Sequence, residues 1–300
     1  MTLDRRAFVQ GSLATGLALG AAACVPLDQS SAGRLAANLR IIEAHAGGTL
    51  GVEFFDTASG MSIGHNRDAR FGHCSSFKTS LAAMLLQYRE RNGDLVREVE
   101  LRAEDVLGHS PFVAVRVGQS ASLFELAQAT QRLSDNAAAN ILLRELGGPE
   151  AMTAFWRSIG DDVSRLDRIE PHLNHVPPGE VRDTTTPRAM ARTLARLVYG
   201  DVLRERDRSL LRHWMIDTST GARRVRAGLP QDWQAGDKTG TSIWPDMGSL
   251  YVDIGFVEPA GRAPITFAAY FRTAERTDGI DPQAEAVLAR VGEVLTRFAA

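Results

Sequence analysis

A serine and a lysine three residues apart, Ser75 and Lys78 in the stretch HCSSFKTS, could do chemistry together. Only two of the 34 basic residues of the chain are lysines. An arginine would carry the same charge, but its guanidinium keeps its proton in proteins, whereas a buried ammonium can release one. If a helix begins here, both side chains share one face, and the N-terminal dipole favours an anion beside the serine. The pair is therefore a candidate nucleophile with its proton acceptor.

The second lysine, and a serine between the two, strengthen this hypothesis. S-x-x-K alone is a permissive pattern that chance surface residues often produce. Lys238 lies in DKTGT, on a predicted strand whose glycine would let a ligand approach the backbone. Ser134 to Asn136 form the triplet SDN at the start of a predicted helix, where N-capping alone would explain a Ser or an Asp. Each motif has an ordinary structural explanation, but the three together favour one catalytic site.

Length and composition describe a globular protein with one large domain or two interlocked ones. The chain has 300 residues, of which 44% are hydrophobic and 23% are charged, enough to bury a full core. The formal net charge is -2, and no basic stripe is evident. A protein that holds nucleic-acid phosphates needs such a stripe, so nucleic acid is not expected as a partner.

Residues 1–24 have the pattern of an export signal. The twin arginines Arg5 and Arg6 precede an apolar run rich in Gly and Ala that is short for a membrane span. The run ends in AAAC at Cys24, which is similar to a lipoprotein processing site. We therefore expect export to the periplasm by the twin-arginine route, with either plain cleavage or a lipid anchor at Cys24. Cys74 is expected to be a free, buried thiol.

Hydrophobic periodicity predicts strands on both sides of a helical middle. A helix over Ser31 to Ala46 precedes a hairpin of TLGVEFFDT and MSIGHN. Strand patterns return in QAGDKTGT, SLYVDIGFVE and PITFAAYFRT, before a closing helix near the end of the chain. From Phe77 to about Gly221 the patterns are nearly all helical. Because a lone hairpin is marginal in water, the five strands should form one sheet.

The predicted fold class is α/β of the α+β type, an antiparallel five-stranded sheet flanked by the terminal helices plus an all-helical domain. The sheet domain would be discontinuous, over residues 25–72 and 222–300. The helical domain would span residues 73–221 and include a long polar loop, rich in Pro, over residues 165–183. Since the chain crosses twice between the domains, we expect the active site in the cleft between them.

The order S-x-x-K, S-D-N, K-T-G resembles the signature of class A serine β-lactamases, and the likeness covers essentially the whole mature chain. The resemblance implies that Ser75 attacks the lactam carbonyl to form an acyl-enzyme, with either Lys78 or Glu170 as the acylation base. Ser134 would relay a proton to the leaving nitrogen, with Lys238 beside it. No cofactor and no metal are implied, the partners would be β-lactam small molecules, and we expect a monomer.

The same resemblance implies a set of substrate-binding residues. Asn136 would hold the amide side chain of the substrate, and backbone N–H groups of Ser75 and Thr241 would form the oxyanion hole. His109 stands where the family often has an aromatic residue at the cleft mouth, and its alternative role is that of a partly exposed loop residue. An anion pocket for the substrate carboxylate would be made by Lys238, Thr239, Gly240, Thr241 and Arg224.

The stretch RIEPHLNHVPPGEVRD, from Arg168 to Asp183, resembles the Ω-loop of the family. Glu170 and Asn174 match the residues that hold the hydrolytic water there. Arg168 and Asp183 match the ion pair that closes the neck of the loop. Pro171 follows Glu170, and family members often have a cis bond at that point.

Three rival interpretations were considered. Glu170, His172 and His175 are close in sequence and suggest a metal site, but no H-E-x-x-H motif supports one. A D-Ala-D-Ala peptidase or transpeptidase would share the three motifs and lack the loop with Glu170 and Asn174. A penicillin sensor would be acylated and stop there. The presence of Glu170 favours turnover over the last two.

Departures from the family pattern bear on the preferred drug. No arginine lies between Lys238 and Arg262, where many members bind the substrate carboxylate, and Arg224 occupies the alternative position that several carbapenemases use. Cys74 matches a cysteine of those carbapenemases, but the position of its disulfide partner is Ser242. That disulfide cannot form, and carbapenemase activity is not indicated.

Overall fold

A computed structural model of the protein describes residues 29–92 and 96–300. The strands, in chain order, are β1 (Gly48–Asp56), β2 (Ser62–His65), β3 (Phe71–Gly72), β4 (Glu98–Glu100), β5 (Ser120–Ser122), β6 (Thr184–Thr185), β7 (Gln234–Ser242), β8 (Leu250–Glu258) and β9 (Ile265–Thr273). Five of them form one antiparallel sheet in the order β2-β1-β9-β8-β7. The predicted sheet is confirmed, with the early hairpin at one edge and the K-T-G strand at the other.

The described helices account for both terminal segments and most of the middle of the chain. In chain order they are α1 (Gln29–Ala46), α2 (Phe77–Asn92), α3 (Leu123–Arg132), α4 (Asn136–Leu146), α5 (Gly148–Ser158), α6 (Pro187–Val198), α7 (Glu205–Ile216) and α8 (Pro282–Ala299). The capping box of Ser122 and Glu125 begins α3, because each side chain bonds the backbone N–H of the other residue. The local signal in the sequence therefore predicted the start of α3.

Both faces of the five-stranded sheet are covered by helices. On β8, Tyr251 and Val257 point to the core under α1 and α8, whereas Val252, Ile254 and Phe256 point to the opposite core. Successive side chains of a strand alternate between the two faces, so a strand covered on both sides is apolar almost throughout. The prediction that the terminal helices lie on one face is confirmed.

Helix α6 covers the second face, and the sequence analysis did not assign this role to it. Met190 and Leu194 of α6 are fully buried in the same core as Ile254 and Tyr270 of the sheet. This core continues into the helical region around α2, whose Leu85 is fully buried. One hydrophobic core thus runs from the back of the sheet into the helices, which fixes their relative position. The domain boundaries at 72/73 and 221/222 stay a prediction.

The short pairs β3–β6 and β4–β5 interrupt the helical middle and were not predicted. Phe71 pairs with Thr185, and Gly72 pairs with Thr184. The ladder continues as a single bond from the backbone N–H of His73 to the carbonyl of Asp183, at 2.9 Å. Since Ser75 follows His73 by two residues, the β3–β6 pair places the turn that carries Ser75, called the nucleophile turn below, beside the end of the long loop.

The predicted export leader over residues 1–24, with Cys24, lies outside the described residues. Within the part of the chain that the structure describes, no helix has the length and apolar character required to cross a bilayer.

Candidate active site

Ser75 lies in a single 3-10 turn, Cys74–Ser76, that leads directly into α2. The sequence predicted it at the helix N-terminus, and the structure places it just before the first α-helical residue, Phe77. Lys78 is fully buried in the first turn of α2, and its Nζ donates to Ser75 Oγ at 2.9 Å. The predicted pairing of hydroxyl and amine is thus present in the geometry.

Lys78 is surrounded by acceptors from three segments. Its Nζ donates to the backbone carbonyl of Ser134 at 2.9 Å and to Asn136 Oδ1, and it lies 3.2 Å from Glu170 Oε1. Burial lowers the pKa of the Lys78 ammonium, and the negative charge of Glu170 opposes that shift. A lysine with a lowered pKa can exchange protons with the hydroxyl that it contacts.

The S-D-N triplet is held in a fixed turn before α4. Ser134 has a φ of 59°, in the left-handed region, and Asp135 is the N-cap of α4, accepting from the backbone N–H of Ala138 at 2.8 Å. The buried Asp135 also accepts from the backbone N–H of Phe112 at 2.8 Å. These bonds anchor the turn, which leaves the Ser134 hydroxyl free to face both lysines. Asp135 is therefore the structural member of the triplet.

Lys238 reaches the same serine from the opposite wall of the cleft. It is fully buried on β7, and its Nζ donates to Ser134 Oγ at 2.9 Å and to the carbonyl of Thr239 at 2.8 Å. Burial is the main reason that the pKa of Lys238 lies well below its usual value, and the charge of Lys78 lowers it further. Ser134 thus sits between two buried amines.

Gly240 allows β7 to lie directly against the nucleophile turn. A Cβ placed on Gly240 would lie 2.9 Å from the backbone nitrogen of Ser75 and 2.8 Å from Cβ of Cys74. Contacts this short require backbone movement, so only glycine keeps the strand and the turn together. This close approach brings the backbone of Thr241 next to that of Ser75, as an oxyanion hole between them requires.

The long loop brings Glu170 to the nucleophile. Glu170 Oε1 lies 3.5 Å from Ser75 Oγ, and Oε2 accepts from Asn174 Nδ2 at 2.6 Å. Asn140 of α4 holds the backbone of the same residue, because it donates to the Glu170 carbonyl at 2.9 Å and accepts its N–H at 3.0 Å. The bond from Glu170 to Pro171 is cis. Asn174 therefore holds the carboxylate of Glu170, and Asn140 holds its backbone.

Arg168 and Asp183 close the neck of this loop, as the sequence analysis expected. Arg168 Nε donates to Asp183 Oδ2 at 2.5 Å, and the other oxygen of the buried Asp183 accepts the backbone N–H groups of Asp167 and Arg168. Arg168 also donates to the carbonyl of His175 at 2.8 Å. The pair thus joins both ends of the loop and its middle.

Arg224 lies at the anion pocket but already has a carboxylate partner. Its guanidinium is almost fully buried, donates to Thr241 Oγ1 at 2.6 Å and to the Gly240 carbonyl at 2.7 Å, and pairs with Glu285 of α8 at 3.2 Å. The hydroxyl groups of Thr239 and Thr220 lie 2.6 Å apart beside it. The pocket therefore combines the Arg224 guanidinium, three threonine hydroxyl groups and one compensating carboxylate.

These side chains line one cavity of about 570 Å³ between the sheet edge and the helices. His109 is exposed at its mouth, and its Nε2 contacts the carbonyl of Leu133 at 3.0 Å. Ile280, an exposed apolar residue, also lines the cavity. The lining residues include Ser75, His109, Ser134, Asn136, Glu170, Asn174, Thr220, Arg224, Thr239, Gly240, Thr241, Ile280 and Glu285. The cavity has the size of a small-molecule site.

The rival metal site is not formed by the described residues. His175 turns away to contact Asp246 at 2.9 Å and stacks on Trp244 at 5.3 Å, while His172 also faces Trp244. Glu170 points the other way, to Ser75 and Lys78. Among the residues that the structure describes, no group of three His, Cys, Asp or Glu side chains could hold a metal ion.

Cys74 is a free, fully buried thiol, and burial raises its pKa to about 12. Ser242, at the position of the missing disulfide partner, donates its hydroxyl to the carbonyl of Asn174 at 2.7 Å. A hydrogen bond between β7 and the loop therefore connects this part of the site. The expectation of a free, buried thiol is confirmed.

Sequence reasoning missed Asn140, Thr220 and Glu285. Asn140 follows Asn136 by one helical turn on α4, and this spacing was a signal that both could face the cleft. Thr220 follows α7 and Glu285 lies on α8, and their approach to the pocket depends on tertiary packing. Neither has a local pattern that could have indicated its position.

Comparisons with known proteins agree with this geometry. The model of the family described as "Beta-lactamase enzyme family" matches residues 34–299. The chain is 41% identical to β-lactamase L2 of Stenotrophomonas maltophilia over 99% of both chains. It is also 41% identical to β-lactamase CTX-M-8 of Citrobacter amalonaticus, over 79% of this chain and 81% of that one.

The solved structures that resemble this chain are also β-lactamases. An ancestral class A β-lactamase, GNCA, matches with a TM-score of 0.83 and 44% identity, covering 88% of this chain and 99% of that one. A β-lactamase from Xanthomonas campestris matches with a TM-score of 0.83 and 42% identity, over 90% of this chain and 98% of that one. The predicted fold class is confirmed, and the chain belongs to the β-lactamase enzyme family, among its class A serine members.

Proposed function

We propose that this protein hydrolyses the β-lactam ring of penicillin- and cephalosporin-type antibiotics through an acyl-enzyme on Ser75, and so gives antibiotic resistance. The observation that carries the proposal is the position of Glu170, 3.5 Å from Ser75 Oγ and 3.2 Å from Lys78 Nζ. A buried carboxylate beside the nucleophile supplies the base that a second, hydrolytic step needs.

Acylation begins when Ser75 Oγ attacks the lactam carbonyl carbon and its proton leaves. Two routes for the proton are present, because Lys78 Nζ contacts the hydroxyl at 2.9 Å and Glu170 Oε1 lies at 3.5 Å. The backbone N–H groups of Ser75 and Thr241 are the donors for the oxyanion that develops on the carbonyl oxygen. Their proximity is supported by the absence of space for a side chain at Gly240.

The lactam nitrogen leaves with a proton from Ser134. Its hydroxyl accepts from Lys238 at 2.9 Å, which holds it in place, and lies 3.5 Å from Lys78, which can replace the proton given to the nitrogen. Asn136, which contacts Lys78 through Oδ1, has its amide NH₂ group available for the substrate side chain.

The substrate carboxylate binds where positive charge and hydroxyl groups meet. Arg224, Thr239 and Thr241 supply charge-assisted and neutral donors on one side of the cavity, and the buried Lys238 lies behind Ser134 and Thr239. Gly240 places this wall against the nucleophile. The carboxylate therefore orients the lactam ring toward Ser75, and His109 borders the opposite side of the mouth.

Deacylation follows when Glu170 takes a proton from water, which attacks the carbonyl carbon of the Ser75 ester. The bond from that carbon to Ser75 Oγ then breaks, and Ser75 Oγ regains a proton from Lys78 or Glu170, both of which it contacts. Asn174 donates to Glu170 Oε2 at 2.6 Å, which leaves Oε1 facing the nucleophile. Asn140 fixes the backbone of Glu170, so the carboxylate is oriented before substrate arrives. Every proton transfer in this scheme uses side chains of the chain itself, and no cofactor takes part.

The place of action is part of the proposal. The twin arginines Arg5 and Arg6 and the processing pattern at Cys24 support export to the periplasm, with a lipid anchor if Cys24 is processed as in lipoproteins. Mass spectrometry of the mature N-terminus from the native host decides between cleavage and lipidation. Sedimentation of the purified protein tests the expected monomer.

The decisive experiment mixes purified protein with a chromogenic cephalosporin and then measures the intact mass. The wild type should turn over and return to its own mass. Glu170→Ala should slow deacylation roughly 100-fold or more and accumulate an adduct on Ser75. Glu150→Ala, which removes a surface carboxylate from α5, is the matched control. Turnover by Glu170→Ala at the wild-type rate would disprove the assigned deacylating base.

The same assay separates the alternatives. A penicillin sensor would show a stable adduct in the wild type, and a peptidase would release D-alanine from a D-Ala-D-Ala peptide. Steady-state hydrolysis of a penicillin, a cephalosporin and a carbapenem then defines the drug class. A rate comparable to the other two on the carbapenem would contradict the expectation from Ser242.

A further inference from the structure

His73 is a buried histidine that the proposed mechanism does not use. It precedes the nucleophile turn by one residue and is fully buried, with its ring stacked on the indole of Trp156 at 4.8 Å and an interplanar angle of 7°. Within the described residues, neither ring nitrogen has a hydrogen-bond partner. A buried polar group without partners destabilises a fold, so its presence calls for an explanation.

The backbone of His73 joins three parts of the active site. Its N–H donates to the carbonyl of Asp183 at the neck of the Ω-loop, at 2.9 Å, and its carbonyl accepts the N–H of Ser76 at 3.0 Å. The same carbonyl lies 3.1 Å from the position that a Cβ would take on Gly240. Any movement of His73 therefore moves the nucleophile turn relative to the Ω-loop and β7.

The charged groups that act on the imidazole lie in the segment after α5 and in the residues before β3. Asp161 and Asp167, in the segment after α5, favour a proton on the ring, and Arg70, before β3, opposes one. The backbone of Thr184 on β6 also favours the protonated ring, although it lacks the geometry of a hydrogen bond. Trp156 of α5 adds an apolar face.

Asp161 is the acidic group with the largest influence, but its oxygens are already in use. It accepts from Ser164 Oγ at 2.6 Å, from Thr193 Oγ1 at 2.7 Å and from the backbone N–H groups of Val163 and Ser164. Burial therefore prevails over the nearby carboxylates, and the pKa of His73 falls to about 4. The imidazole is neutral in the folded protein at neutral pH.

We propose that His73 is a positioning residue whose neutral ring, stacked on Trp156, holds the nucleophile turn against the neck of the Ω-loop and sets the acid limit of activity. The imidazolium has no place in this partner-free stack. When the ring takes a proton it leaves the stack, and the bond from its backbone N–H to Asp183 is lost with it. Ser75 and Glu170 then lose their alignment.

The direction of the pH effect follows from the two protonation midpoints. An exposed histidine ring takes a proton below about 6.5, whereas His73 in the folded protein does so only near 4. Above 6.5 the ring is neutral in both the closed and the opened state, so it contributes no pH dependence. Between 6.5 and 4, each unit of falling pH multiplies the equilibrium constant for opening by about ten. Below 4 the penalty is constant.

The first test needs no substitution and no activity. Two-dimensional ¹H–¹⁵N spectra of the ring nitrogens of the full-length wild type are recorded from neutral pH to pH 4. His73 should keep the shifts of a neutral ring down to at least about pH 5. A His73 midpoint near 6.5 overturns the proposal.

The second test compares His73→Leu with His45→Gln. In denaturant titrations, the ratio of the unfolding constants of wild type and His73→Leu should be flat above pH 6.5. It should rise about tenfold per unit as the pH falls from 6.5 to 4. His45→Gln should follow the wild type. A ratio that is the same at every pH means that the residue only fills space, and overturns the proposal.

The third test measures activity as a function of pH, and the rate of each protein is divided by its own rate at pH 7. The acid limb of kcat/KM for a chromogenic cephalosporin should move at least half a pH unit lower in His73→Leu than in the wild type. An unmoved limb overturns the link to catalysis. This readout rests on the proposed function, whereas the spectra and the unfolding data do not, so an inactive wild type would refute the function without deciding the role of His73.

Discussion

The two lysines of this protein are both fully buried, yet their surroundings differ in one respect. Lys78 lies 3.2 Å from a carboxylate oxygen of Glu170. Lys238 donates to Ser134 Oγ and to the carbonyl of Thr239, and no carboxylate of the described residues lies within ion-pair distance of its Nζ. Lys78 therefore has a direct carboxylate partner, whereas Lys238 feels Asp237 and Glu170 only at a longer distance.

The difference separates a group that transfers protons from a group that binds an anion. For Lys78, Glu170 opposes the lowering of the pKa by burial, whereas for Lys238 the positive charge of Lys78 adds to it. An anion that arrives beside Lys238 would oppose this lowering of its pKa, because an opposite charge favours the charged form. The substrate carboxylate therefore completes the site at Lys238, while the Lys78 side is complete beforehand.

The substitution Lys78→Arg should have the largest effect, and it tests whether Lys78 must transfer a proton. The guanidinium keeps a charge beside Glu170 but cannot exchange a proton with Ser75, so kcat/KM should fall roughly 1,000-fold. Stopped-flow acylation with a chromogenic cephalosporin measures the step. Near-normal acylation by a correctly folded Lys78→Arg would show that the amine supplies charge alone.

Lys238→Ala tests the other side of the comparison and should have a smaller effect. Loss of a charge-assisted bond to the substrate carboxylate and of the contact with Ser134 should reduce kcat/KM by about 100-fold, mostly through KM. Lys238→Arg is the matched control, and it should recover a large part of the loss because a fixed charge suffices there. If arginine rescues position 78 but not position 238, the two roles have been assigned the wrong way round.

Arg224→Ala should have a weaker effect on the same anion pocket. Because Glu285 already compensates part of its charge, we expect KM to rise about tenfold with little change in kcat. Steady-state kinetics with one penicillin measures both constants. Substrates that lack the carboxylate provide the control, since they should not distinguish the variant from the wild type.

The smallest effect is expected from thiol reagents. Cys74 is fully buried and its pKa is raised to about 12, so at neutral pH it is neither accessible nor ionised. Incubation of the native protein with iodoacetamide should leave activity unchanged, with the intact mass showing no label at Cys74. Rapid labelling in the native state would mean that β7 opens away from the nucleophile turn.

Local sequence patterns predicted most of the site because each motif places its own residues. The spacing of Ser75 and Lys78 needs one turn of backbone, and the capping residue Asp135 begins α4 where the triplet indicates. The sheet could be predicted equally well, since apolar residues in its strands either alternate with polar ones or form continuous runs. These features depend on neighbours within a few residues.

Long-range contacts account for what sequence could not predict. Glu285 contacts Arg224, which is 61 residues away in the sequence, and Asn140 binds the backbone of Glu170, which is 30 residues away. The stack of His73 on Trp156 joins two segments whose patterns are simply apolar. Hydrophobic periodicity does not predict such long-range contacts, which form only when the sheet and the helices pack together.

The complete burial of Lys78 and Lys238 also determines how this protein can be handled. The sequence contains no other lysine, so amine-reactive dyes, crosslinkers and resins find only the α-amino terminus of the folded molecule. A lysine-specific protease should leave the native chain uncut and cleave it at two points once it unfolds. The rate of that cleavage would report how often the cleft opens.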